Sequence, residues 1–281
     1  MRHETWARVG PVTFRVGADR RAGIAALTSL YAGYPEPASV PDFTVRLEAP
    51  RPWRRWLRPQ VAVAGDLTLP GALPLPLAHA LLAAEMAMNL QLALGWRRHL
   101  LLHAAVVERD GRAVILTGES GAGKSTLAAL MMAGGWRLLG DEFAMLAPDT
   151  GLLHPHPRLV SLKNESVAAV AAALPDAQWG PWLRGTPKGD IRHLVPDARA
   201  LAGIDVAARP VAIVFPRFGF ESASRAVAPA EAFVRLTQAS TNYVTLGEAG
   251  FGALTRLVRD VPAVAVDYPD GAAGVAAVAA L

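Results

Sequence analysis

The chain has 281 residues, 52% of them apolar and 19% charged, with no cysteine; this excludes a disordered or collagen-like chain, a disulfide scaffold, thiolate metal sites and a cysteine nucleophile. Its formal charge of +4 comes from residues 1–72, where 10 Arg face 6 acids, while the rest of the chain is balanced. An excess so confined does not argue for a general or specific nucleic-acid binder. The opening MRHETWARVG is polar and carries no apolar run of signal-peptide type, so a cytoplasmic location is expected.

In chain order, Val12–Val16 alternates like a strand, Ala22–Tyr31 has helical spacing, and Asp42–Glu48 and Val61–Leu69 again read as strands. Residues 1–72 are therefore expected to form a small α+β domain, suited to substrate docking. Within it lies the Pro-bounded loop RPWRRWLRP, Arg51–Pro59, in which four Arg alternate with Trp53 and Trp56. The expected arrangement packs both indoles inward and lets the Arg stems snorkel outward; gripping an acidic partner is the other reading. Gly71–Pro76, GALPLP, reads as a linker. Leu77–Leu94 is apolar enough to raise the question of a membrane, but Glu85, Asn89 and Gln91 inside it favour the core helix of a soluble protein, and no membrane partner is expected.

The second expected domain, 73–281, begins with that helix and continues into two strand-like runs, Leu101–Glu108 and Arg112–Thr117, joined by the hairpin signal Arg109-Asp110-Gly111. A helix is expected from Lys124 to Ala133, stopped by Gly134-Gly135. Short strands then flank Gly140-Asp141-Glu142. The remainder reads as a helix near Ser166–Leu174, a loop through Lys188, a buried strand Val211–Phe215, helices near Ala230–Gln238 and Gly247–Val258, a strand Ala263–Tyr268 and a terminal helix. Strand–loop–helix alternation predicts an α/β fold; the hairpin makes its sheet mixed, with helices on its flanks.

Between the second strand and its helix, Gly118-Glu119-Ser120-Gly121-Ala122-Gly123-Lys124-Ser125 fits G-x-x-x-x-G-K-[ST], the P-loop pattern, in the required strand–loop–helix context. The glycines allow backbone N–H groups to curl around phosphates, and the helix adds its positive end. Lys124 supplies a charge to the β- and γ-phosphates, Ser125 a hydroxyl for Mg²⁺, and Thr126 completes the binding run. ATP and Mg²⁺ are the implied ligands. Asp141 follows Lys124 by only 17 residues, on a strand expected to lie beside the P-loop strand with its carboxyl end at the phosphates. His103 precedes Lys124 by 21 residues on the strand that hairpins into the P-loop strand.

The run from His103 through TGESGAGKS to Gly140-Asp141-Glu142 resembles the catalytic core of the HPr kinase/phosphorylase family of bacterial serine kinases, which shares its fold with phosphoenolpyruvate carboxykinase. The resemblance implies active-site positions for His103, Lys124, Ser125, Asp141 and Glu142, although Glu142 stands where that family usually has a second Asp. On this reading Ser125 and Asp141 hold Mg²⁺, Glu142 accepts the proton of an incoming hydroxyl, and His103 orients Glu142 or touches the γ-phosphate. Lys188, in the loop TPKGD with Arg192 nearby, and Arg217, at the end of a buried strand, are further candidates for charge stabilisation. Lys163 in SLKNES is either a phosphate contact or part of a helix start capped by Asn164.

The expected activity is transfer of the γ-phosphate of ATP to a serine hydroxyl of a small protein or peptide, an acidic one being open. The alternatives are a small-molecule kinase on the same fold and a non-catalytic nucleotide-binding regulator. The acceptor, ATP versus GTP, and assembly as a homo-oligomer are left open.

Overall fold

The computed structural model describes residues 2–68 and 71–281. It is a mixed α/β protein in which three sheets and eight α-helices share contiguous cores. The N-terminal sheet joins β1 (His3–Val9), β2 (Val12–Ala18), β3 (Phe43–Glu48), β4 (Gln60–Gly65) and β5 (Leu75–Pro76), in that order, with α1 (Ala25–Leu30) between β2 and β3. β1 went unread because its residues alternate under a polar surface; its pairing with β2 runs from His3↔Ala18 to Val9↔Val12. β5 pairs with β4, so Leu75–Pro76 is part of the sheet where a linker was expected. The expected strand Val61–Leu69 ends at Gly65, and Leu69 lies outside the described residues.

The tryptophan loop corrects its expectation. Trp53 and Trp56 are 51% and 73% exposed. The small apolar space beneath the loop, among Ala18, Leu47, Val61 and Leu77, is lined by Arg54 and Arg55 instead, and Arg55 is tied to Asp19 at 2.8 Å. With the stems filling that space and Pro52 starting a one-turn 3-10 helix, the indoles turn outward.

α2 (Ala80–Gly95) is predominantly apolar and buries most of its length, with Met86 and Leu94 exposed. The segment Leu77–Gly95 is long and apolar enough to cross a membrane, but most of it is inside the protein. Its Glu85 carboxylate is buried, accepts from Tyr31 Oη at 2.9 Å and pairs with the buried guanidinium of Arg158. Arg158 also donates to the Glu85 carbonyl at 2.8 Å and to Asn89 Oδ1. This network binds the end of α1 and α2 to the segment 155–160. The closest approach is at Gly10, φ +56°, where a Cβ would lie 1.9 Å from the Pro155 carbonyl oxygen; only glycine fits.

The central sheet is built on β6 (Leu100–Arg109) and β7 (Arg112–Thr117), whose hairpin turns through Asp110 and Gly111, both at positive φ as a tight hairpin requires. α3 (Lys124–Ala133) follows the glycine-rich loop; β8 (Arg137–Gly140) and β9 (Phe143–Leu146) come next. Both pair antiparallel with β6, not with β7, so β6 separates them from the strand leading into the loop. This corrects the expected neighbour. β10 (Leu153–His154) extends that edge, and β11 (Val160–Lys163) leads to α4 (Glu165–Ala173). Asn164 precedes α4 but does not cap it; its Oδ1 accepts from the Asp190 N–H at 3.1 Å. β12 (Leu183–Thr186) and β13 (Gly189–Leu194) form a hairpin where a loop was expected, joined to β11 in the third sheet.

After α5 (Ala198–Ala202), β14 (Arg209–Phe218) runs parallel to β7, and β15 (Ala223–Val227) forms the far edge. α6 (Pro229–Ala239) and α7 (Tyr243–Asp260, kinked at Gly247) cover one face. β16 (Ala263–Tyr268) lies parallel to β14, and α8 (Gly271–Ala279) joins α3 on the other face. The order β10-β9-β6-β7-β14-β16-β15 puts the carboxyl ends of β7, β14 and β16 along one rim.

Candidate functional site

The glycine-rich loop leaves β7 at that rim and enters α3. Gly118, Gly121 and Gly123 all have positive φ, a left-handed course that brings successive N–H groups to one side. Gly123 is also sterically required: a Cβ there would sit 2.6 Å from Tyr268 Oη and 3.2 Å from Phe218 Cβ. Lys124 is buried, and its Nζ donates to the carbonyls of Gly118 and Glu119 at 2.8 Å each, so the loop closes around its own lysine. Burial holds the Lys124 pKa below its usual value, while Asp141 and Glu142 nearby oppose that shift.

Asp141 and Glu142 occupy the two-residue kink where the chain passes from β8 to β9 along β6. The turn is tight enough that a Cβ on Gly140 would meet the Phe143 carbonyl at 2.8 Å. Asp141 is 3% exposed, and neither carboxylate oxygen has a hydrogen-bond partner of ordinary geometry, although the Ser125 hydroxyl and the Ser161 N–H lie beside it. Burial first, and the Glu142 charge second, push its pKa up to about 7. Glu142 turns the other way, with its side chain 34% exposed and Oε2 3.5 Å from His103 Nδ1. His103 stands opposite Phe143 in the register, 46% exposed, so it is not a core histidine. Its carbonyl accepts from Thr117 Oγ1 at 3.1 Å, tying it to the end of β7.

His103, Lys124, Ser125, Asp141 and Glu142 thus converge, and the Lys163 charge is felt at Lys124. The other two candidates are placed differently. Arg217 is engaged by Asp267, Nε to Oδ1 2.9 Å, and lies over the Phe220 ring at 4.0 Å. Lys188 is exposed in the β12–β13 turn, where its N–H donates to Thr186 Oγ1 at 3.2 Å. Arg192 lies between the indoles of Trp179 and Trp182.

Sequence reasoning passed over Arg158, Ser161 and His193. Arg158 and His193 are buried and close enough to Glu142 for its charge to act on both. HPHPRLV offered a faint signal, since an arginine leading straight into an apolar strand and buried with it demands a partner. Among the described residues no cluster of three or more His, Cys, Asp or Glu could form a metal cage of side chains alone.

A family model matches residues 80–169, which span α2, the loop, the acidic pair and β11. That family is ScmC, described as a SynChlorMet cassette protein. The match covers less than half of the chain, and the curated proteins gave no match. It corrects the expected resemblance to the HPr kinase/phosphorylase family, because the model fitting this segment is ScmC. The physical reason is that a strand, a GxxxxGK[ST] loop and a helix solve a general anion-binding problem; they report the chemistry of a loop and not a lineage.

Proposed function

We propose that the loop is a phosphate-binding P-loop, and that the protein is a kinase transferring the terminal phosphate of ATP to a serine hydroxyl of a small protein or peptide. One observation carries this reading. Asp141 is a buried carboxylate with no hydrogen bond of ordinary geometry, held beside a hydroxyl and an ammonium at the glycine-rich loop. Such a group is costly unless a cation or proton joins it. Mg²⁺ suits it, because that ion is typically held by one or two carboxylates together with substrate phosphates and not by an all-protein cage. Ser125 and Asp141 would hold it, and it would supply charge neutralisation at the phosphates.

The chain's own groups then divide the work. The loop N–H groups and Lys124 bind and orient the triphosphate. Glu142, partly exposed beside His103, accepts the proton of the incoming hydroxyl as the oxygen attacks the terminal phosphorus, whose bond to the β,γ-bridging oxygen breaks and releases ADP. His103 holds the Glu142 carboxylate in place. The exposure of both side chains leaves this edge open to solvent, which favours a polypeptide acceptor over an enclosed metabolite. The arginine excess of residues 1–72 supports an acidic acceptor docking there.

The test is a transfer assay with γ-labelled ATP and Mg²⁺ against the proteins and peptides encoded beside this gene. Label on a serine supports the reading. Nucleotide binding without transfer to any of them leaves a regulator instead.

A further inference from the structure

The converging groups lie on one side of the loop, His103 on β6 and the two acids in the β8–β9 kink. On its other side, at the carboxyl ends of β14 and β16, two phenylalanine rings stand in solvent. Phe218 is 54% exposed and Phe220 48%, on either side of Gly219, whose φ of +89° makes the turn. Phe218 is also held in position: its Cβ lies against Gly123, and its ring meets Tyr268 edge-on at 5.8 Å between centroids. Tyr268 is buried, with its hydroxyl 3.5 Å from the Ala122 carbonyl, so the platform is keyed to the loop itself.

We propose that the Phe218–Phe220 turn is the seat of the nucleoside base. This rests on the phosphate-binding reading above. A triphosphate lying along the loop with its terminal phosphate at Lys124 and Asp141 points its nucleoside away from β6, toward β14. There the base meets an aromatic face adjoining the last loop glycine. At this edge Arg217 is bound to Asp267 and covers the outer ring, so its guanidinium is not free to read the edge of a base. Recognition is therefore by stacking, which every base can satisfy. The site takes ATP and GTP alike, and the nucleoside contributes affinity that the bare triphosphate lacks.

Calorimetric titration of the full chain with Mg²⁺ and ATP, GTP or inorganic triphosphate tests this, in the wild type, Phe218→Ala and Phe220→Ala. Base–aromatic stacking predicts that Phe218→Ala weakens ATP and GTP by about tenfold and leaves inorganic triphosphate unchanged. Phe220→Ala should act the same way more weakly. If both variants bind ATP as the wild type does, the base lies elsewhere and the inference fails while the phosphate loop stands. Equal weakening of ATP and inorganic triphosphate would mean that Phe218 only braces the loop, and also refutes it. A preference for ATP over GTP of a hundredfold would overturn recognition by stacking alone. A wild type that binds none of the three ligands sinks the phosphate-binding reading and this one with it.

Discussion

Replacing Asp141 by Asn should stabilise the metal-free protein. The carboxyl titrates near pH 7 when folded and at its ordinary 3.8 when unfolded. The folded state therefore keeps a proton that the unfolded chain has already lost, and stability falls as pH rises from about 4 to about 7, then levels off. Three pKa units correspond to about 4 kcal/mol at pH 8, and water entry into the site would trim the observed value to about 2–4 kcal/mol. Asn is nearly isosteric with the protonated acid and cannot ionise. In chelator at pH 8, urea denaturation of Asp141→Asn should give a free energy higher than wild type by that amount. At pH 4 the two proteins should nearly coincide. Mg²⁺ with ATP at a hundred times Kd should then add about 2.7 kcal/mol to the wild type, and little to the variant. A variant less stable than wild type at pH 8, or shifted equally at both pH values, would refute the claim that this carboxylate is buried without a partner.

Glu142→Gln should still bind ATP, since it leaves the loop intact, and should lose phosphate transfer by about 10²-fold or more, the scale of a lost general base; wild-type turnover in the labelled assay would remove Glu142 from the mechanism. Arg158→Ala strands the Glu85 carboxylate in the core and should cost about 3–5 kcal/mol in urea denaturation, whereas the double replacement Glu85→Leu with Arg158→Met should recover most of it. His99 and His156 are held neutral by burial, with pKa values lowered to about 4 and about 3. Their stabilising contribution is complete above pH 6.5 and is lost as pH falls toward those values, by about 2 kcal/mol for each ring at pH 5. Measured in the Asp141→Asn background, so that the carboxylate does not mask it, the urea midpoint should drop sharply between pH 7.5 and 5; a constant midpoint would contradict neutral burial.

What was readable in the linear chain was what neighbouring residues decide among themselves. The glycine spacing and lysine of 118–125, the helix Lys124–Ala133, the Asp110-Gly111 turn and the strand Ala263–Tyr268 all follow from backbone freedom and side-chain period over a few residues. The grouping of His103 with Glu142 was accessible too, though only by resemblance to a family that the comparison did not bear out. The remaining features depend on residues far apart in the chain. That β8 lies against β6 and not β7, that Arg217 is taken by Asp267 fifty residues away, that Arg158 finds Glu85 across 73 residues, and that Trp53 and Trp56 face solvent are outcomes of packing. Burial and charge pairing belong to the whole folded volume: an aspartate reads the same in sequence whether it is solvated or sealed, and only the surrounding sheet and loop make Asp141 a buried carboxyl with its pKa pushed up to about 7.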